Sequence, residues 1–139
     1  MAGNDDKSKD MTREKFTQPA QPTVLVVEDE TAIRHGLTEF LRGSGLRVLE
    51  AGSGAEAVSL LSGEVAVDIV CSHVRMPGEP DGFALARWVR ANRPRVRTLL
   101  TSSHVEGMNA SEPALKEPGN YAGILDHIQR LLAPGPTGG

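Results

Sequence analysis

The side chains in this 139-residue chain that suggest chemistry sit where apolar runs end. Glu28 and Asp29 close the run Val24-Leu25-Val26-Val27. His73 closes the segment Asp68-Ile-Val-Cys-Ser-His73, and the tight turn Met76-Pro77-Gly78 follows it. Thr101 closes Val96 to Thr101. Adjacent carboxylates suit a hard divalent cation, which prefers oxygen ligands. An imidazole between acids can serve as an ion-pair partner or a metal ligand. A hydroxyl at a strand end can bond backbone or hold an anionic oxygen.

The surrounding elements must bring those residues together. An apolar run without alternation predicts a strand covered on both faces, as in a parallel sheet. Val24–Val27, Leu46–Ala51, Val65–Cys71 and Val96–Thr101 read as four such strands, and Ala114–Lys116 as a brief fifth. Between them, Ile33, Leu37, Phe40 and Leu41 form one helical stripe, which Gly43 and Gly45 stop. Ser53 and Glu56 form a capping box ahead of Val58 and Leu61. Asp81 caps a third helix carrying Phe83, Ala86 and Val89 on one face. Residues 103–113 contain Gly107, Asn109, Ser111 and Pro113 and predict one helical turn at most. Tyr121, Ile124, Leu125, Ile128, Leu131 and Leu132 make the final stripe. This alternation predicts an α/β fold, a doubly wound five-stranded parallel sheet with its fourth helix shortened. In such sheets ligands sit at the carboxyl ends of the strands. Spacing alone therefore gathers Glu28, Asp29, His73 and Thr101 at one end of the sheet.

Composition limits the function classes. The net charge of −3 and the lack of a continuous Lys/Arg run offer no nucleic-acid surface. Cys71 is the only cysteine and lies in an apolar run, so it reads as a buried thiol in a reducing compartment. No apolar run approaches the roughly 18 residues of a membrane span, and the N-terminus has no apolar signal region. The expectation is a cytoplasmic protein with no membrane or nucleic-acid partner. Residues 1–22 and 134–139 have little to bury and predict a disordered N-terminal arm and a flexible C-terminal tail around a domain at 23–133. Arg87, Arg90, Arg93, Arg95 and Arg97 read as a solvated face or a docking patch for an acidic partner.

In combination, these motifs resemble the receiver domain family of two-component signalling over nearly all of 23–133. Val24-Leu25-Val26-Val27-Glu28-Asp29 matches the family's acidic, Mg2+-holding pair. Met76-Pro77-Gly78 with Asp81-Gly82 matches the loop into its third helix. Leu99-Leu100-Thr101-Ser102 matches the fourth strand and its phosphoryl-contacting hydroxyl, and Pro118 matches the segment after the fifth strand. The resemblance implies the flavodoxin-like receiver fold, with Mg2+ held, weakly if at all, by Glu28, Asp29 and the backbone carbonyl of Arg75. It also implies a protein partner, such as a sensor histidine kinase or its regulator; independently, the apolar final helix and the thinned fourth-helix region leave a surface for a homodimer.

Two departures alter the implied chemistry. The phospho-acceptor Asp of the family falls at His73, and its Lys falls at Glu117, with Lys116 one residue early. A receiver catalyses its own phosphorylation by carboxylate attack on phosphorus. A cation and a Lys offset the charge on the phosphoryl oxygens. His73 removes the nucleophile and an oxygen ligand, and Glu117 adds negative charge where more would arrive. The aromatic expected three positions before the Lys is Ala114. His73 has four readings: an inert hydrogen-bonded residue, an ion-paired replacement, a new phospho-acceptor, or a transition-metal ligand with Glu28 and Asp29. The expected function is a stand-alone receiver-like module that signals by protein–protein contact without phosphorylation and is not an enzyme. The alternative is a working receiver using an unexpected acceptor or Lys116.

Overall fold

In the computed structural model, which describes residues 21–102, 114–116 and 121–133, an apolar run without alternation is indeed covered on both faces. Every residue of β1 (Thr23–Val27) is buried. Parallel strands β2 (Arg47–Ala51) and β3 (Ile69–His73) flank it. Beyond β3 lie β4 (Arg97–Ser102) and the three-residue β5 (Ala114–Lys116), giving the order β2-β1-β3-β4-β5. The helices among the described residues are α1 (Thr31–Gly43), α2 (Gly54–Ser62), α3 (Gly82–Asn92) and α4 (Tyr121–Leu132).

Side chains alternate across a strand, so β1 feeds two cores. Val24 and Val26, with Cys71 of β3 and Leu99 of β4, pack against Leu37 and Leu41 of α1 and Ile124 and Ile128 of α4. Leu25 and Val27 face the other way, onto Ala57 and Leu61 of α2 and Leu85 and Val89 of α3. Each fully buried aliphatic side chain contributes about 1.5–3 kcal/mol relative to exposure, so the two clusters fix which helix lies on which face. Helices on both faces make the sheet doubly wound. No helix among the described residues is long and apolar enough to cross a membrane.

Local signals set the helix starts. Ser53 Oγ accepts from Glu56 N at 3.0 Å, while Glu56 Oε1 accepts from Gly52 N at 2.7 Å, one residue before the reciprocal donor of an ideal capping box. Asp81 Oδ1 accepts from Ala84 N at 2.9 Å and caps α3. Gly45, at φ 94°, supplies the left-handed turn that ends α1, where Leu46 N donates back to Leu41 O at 3.2 Å.

The third strand differs from its expected bounds. It runs from Ile69 to His73 rather than from Val65 to Cys71. Asp68 is the reason: its backbone N donates to Thr23 O at 2.9 Å and its Oδ2 accepts from Thr23 N at 2.8 Å. The ladder starts at that clasp. Val65 and Val67 are apolar because they pack into the core before the strand begins. Gln21 and Pro22 also touch the domain, through Gln21 Nε2 to Gly45 O at 2.7 Å and Arg47 N to Pro22 O at 3.0 Å. Arg93 and Arg97 of the arginine group bond the carbonyls of Leu61 and Leu131, so they tie element ends together. The rest of the predicted arm, the C-terminal tail, the shortened helix within 103–113, and Glu117 and Pro118 lie outside the described residues.

Candidate functional site at the strand ends

The ladder register builds the site. His73 pairs with Thr101 across β3 and β4, and Val27 pairs with Ser72 across β1 and β3. Glu28, one residue past Val27, therefore arrives level with His73. Thr101 is 2% exposed and Glu28 4% exposed, so the floor of the site is shielded from water.

Glu28 is held from several sides. Its N donates to Ala51 O at 3.1 Å, and its carbonyl accepts from Arg34 Nη1 at 2.8 Å. Its Oε2 accepts from Glu30 N at 3.0 Å, and its Oε1 lies 3.3 Å from His73 Nδ1. The His73 side chain is 18% exposed, and its Nδ1 is buried without a hydrogen bond. The distance to Glu28 is in ion-pair range, but the approach is not aligned for a hydrogen bond. Donor atoms of Glu28, Asp29 and His73 all lie within 4.8 Å of one another, with Asp29 the most open of the three.

The loop after β3 is fixed by backbone contacts. Ser72 Oγ donates to His73 O at 2.9 Å. Val74 N donates to Thr101 O at 2.8 Å, and Gly82 N donates to Val74 O at 2.9 Å. These bonds lock the end of β3 to β4 and to the start of α3. Arg75 sits in the exposed part of this loop.

The sequence residues thus meet as spacing predicts for Glu28, Asp29, His73 and Thr101. Other acids are used elsewhere: Asp68 clasps Thr23 at the far end of the strands, and Asp81 caps α3. Glu117 lies outside the described residues, as does the side chain of Lys116. The β4–β5 ladder runs without a bulge, pairing Thr101 with Leu115 and Ser102 with Lys116. Arg34 was not singled out from sequence. It bonds the Glu28 carbonyl and also Glu50 Oε1 at 3.0 Å, and so positions the acidic turn. A basic residue on the first turn after an acidic pair is the signal that would have found it.

Mg2+ demands near-octahedral oxygen coordination. Here the third protein donor is an imidazole nitrogen with no hydrogen bond. The trio Glu28, Asp29 and His73 therefore does not supply the all-oxygen set that Mg2+ prefers, and no phosphoryl chemistry through that ion follows from it.

A family model described as the response regulator receiver domain matches residues 24–121. The sensor kinase CckA of Brucella abortus is 42% identical over 103 residues, which is 71% of this chain and 11% of that protein. The DNA-binding transcriptional regulator NtrC of Escherichia coli is 33% identical over 107 residues, 77% of this chain and 21% of that protein. The chain therefore spans about a tenth to a fifth of the length of these curated relatives. Among solved structures, the response regulator TrrA of Thermotoga maritima, in complex with Mg2+ and beryllofluoride, superposes with a TM-score of 0.71 at 26% identity, covering 81% of this chain and 100% of that one.

Proposed function

The chain belongs to the response regulator receiver domain family, and from that premise we propose that it signals by contact with a protein partner, without phosphorylation of a carboxylate at the family's acceptor position. It acts as a two-component signalling module and not as an enzyme. The observation that carries this reading is the imidazole at the end of β3. His73 Nδ1 stands 3.3 Å from Glu28 in the row that contains Thr101. A carboxylate nucleophile is absent from that seat, and an imidazole beside an acidic pair faces charges that repel phosphate. Glu117, in the position of the family's Lys, adds to that repulsion.

A domain of this kind transmits by having two arrangements that a partner binds unequally. The similarity to a sensor kinase and to a transcriptional regulator supports a partner from the same signalling class, a sensor histidine kinase or its regulator. Residues at the ends of β1, β3 and β4 then stabilise the domain rather than receive a phosphoryl group.

Beryllofluoride tests this directly, because in a protein without bound nucleotide it needs a carboxylate oxygen to complete a phosphoryl-like tetrahedron. With Mg2+ and beryllofluoride added to 15N-labelled protein, the amide resonances of Val74, Thr101 and Ser102 stay in place. Saturable shifts centred on those residues would show a working acceptor and displace the reading.

A further inference from the structure

We propose that Glu28, Asp29 and His73 chelate a divalent transition-metal ion, represented by Zn2+, in preference to Mg2+. The inference goes beyond the signalling role and does not depend on it.

The donor types come first. Two carboxylate oxygens and one imidazole nitrogen form a borderline set: imidazole suits Zn2+, Cu2+, Ni2+ and iron, whereas Mg2+ is served by oxygen alone. The two carboxylates also match the charge of one divalent cation.

The spacing comes next. Donors about 2.0–2.2 Å from a tetrahedral Zn2+ lie roughly 3.3–3.6 Å from one another. His73 Nδ1 and Glu28 Oε1 already stand 3.3 Å apart, and all three donor atoms lie within 4.8 Å of one another, so drawing in the more open Asp29 carboxylate by about an ångström completes the chelate. Glu28 is already oriented for this role, since Glu30 N holds its Oε2 at 3.0 Å while its Oε1 faces the imidazole. A ligand carboxylate oriented by a hydrogen bond on its other oxygen is the arrangement that tightens metal sites.

The third observation is the state of His73 Nδ1. It is buried, makes no hydrogen bond, and sits 3.3 Å from a carboxylate oxygen. Buried polar atoms seldom lack a partner. A cation between the nitrogen and the oxygen gives both a bond. Asp29, the most open of the three, leaves a solvent side on which water can fill the remaining coordination positions.

Calorimetric titration of the tag-free full chain with Zn2+, in buffer containing excess Mg2+, is expected to show one site per chain. His73→Ala weakens Zn2+ binding by roughly a hundredfold or more, at or beyond the loss caused by removing an outer-shell partner. His35→Ala, at an exposed position on α1, leaves it unchanged. His73→Asp reverses the order, gaining Mg2+ affinity and losing Zn2+ affinity. A readout on the unmodified protein guards against misfolded variants: the 15N resonance of His73 Nδ1 moves on addition of stoichiometric Zn2+ and not of Mg2+. An unresponsive Nδ1 resonance, equal affinity for the two ions, or full Zn2+ affinity in folded His73→Ala overturns the proposal.

Discussion

His73→Asp alone leaves the protein a poor phosphoryl acceptor, whereas His73→Asp combined with Glu117→Lys labels about a hundredfold faster from acetyl phosphate and Mg2+. The magnitude follows from what one preorganised positive group contributes to a phosphoryl-transfer site, about 10²–10³ in rate. The single variant restores the nucleophile and the third oxygen ligand beside Glu28 and Asp29. It also leaves Glu117 in the ammonium position, where its charge opposes the phosphoryl oxygens. Initial rates by intact mass separate the two variants. Equal labelling of the single and the double variant would show that Glu117 is harmless.

Gly82→Ala destabilises the domain by about 2 kcal/mol or more, in the range that overpacking costs. A Cβ at position 82 would stand 2.3 Å from His73 O and 2.6 Å from Val74 Cα. Both neighbours are backbone, and both belong to the locked end of β3. Helix α3 would have to move away from the strand, breaking the bond from Gly82 N to Val74 O. Gly43→Ala is the control. No atom lies within 4 Å of its Cβ position, so the change is neutral or stabilising by about 0.5 kcal/mol through the unfolded chain. Urea unfolding of the two variants measures the difference. A Gly82→Ala protein as stable as Gly43→Ala would mean that the start of α3 does not support the site.

Much of this was legible in the chain because it depends on local pattern. Val24 to Val27 lack alternation, and a strand buried on both faces is the simple consequence. Asp81 is followed by an apolar helix, and it caps that helix. Because the strand ends share one edge of a parallel sheet, Glu28, Asp29, His73 and Thr101 gather without any tertiary knowledge. Features that rest on non-local contact were not legible. Val65 and Val67 imitate a strand, yet the Asp68–Thr23 clasp delays the ladder to Ile69. Arg34 reads as a surface helix residue until its guanidinium is seen on the Glu28 carbonyl. The close approach of Gly82 to His73 O leaves no trace in spacing. Nor does the buried, unbonded Nδ1 of His73, because the angle between two side chains from different strands is set by the packing of both.

The most direct test is on the unmodified protein. Incubated with acetyl phosphate and Mg2+ and examined by intact mass, it should remain at its unphosphorylated mass at every time point. A stoichiometric phosphoryl adduct, one per chain, would mean that an acceptor works at the strand ends in spite of the imidazole.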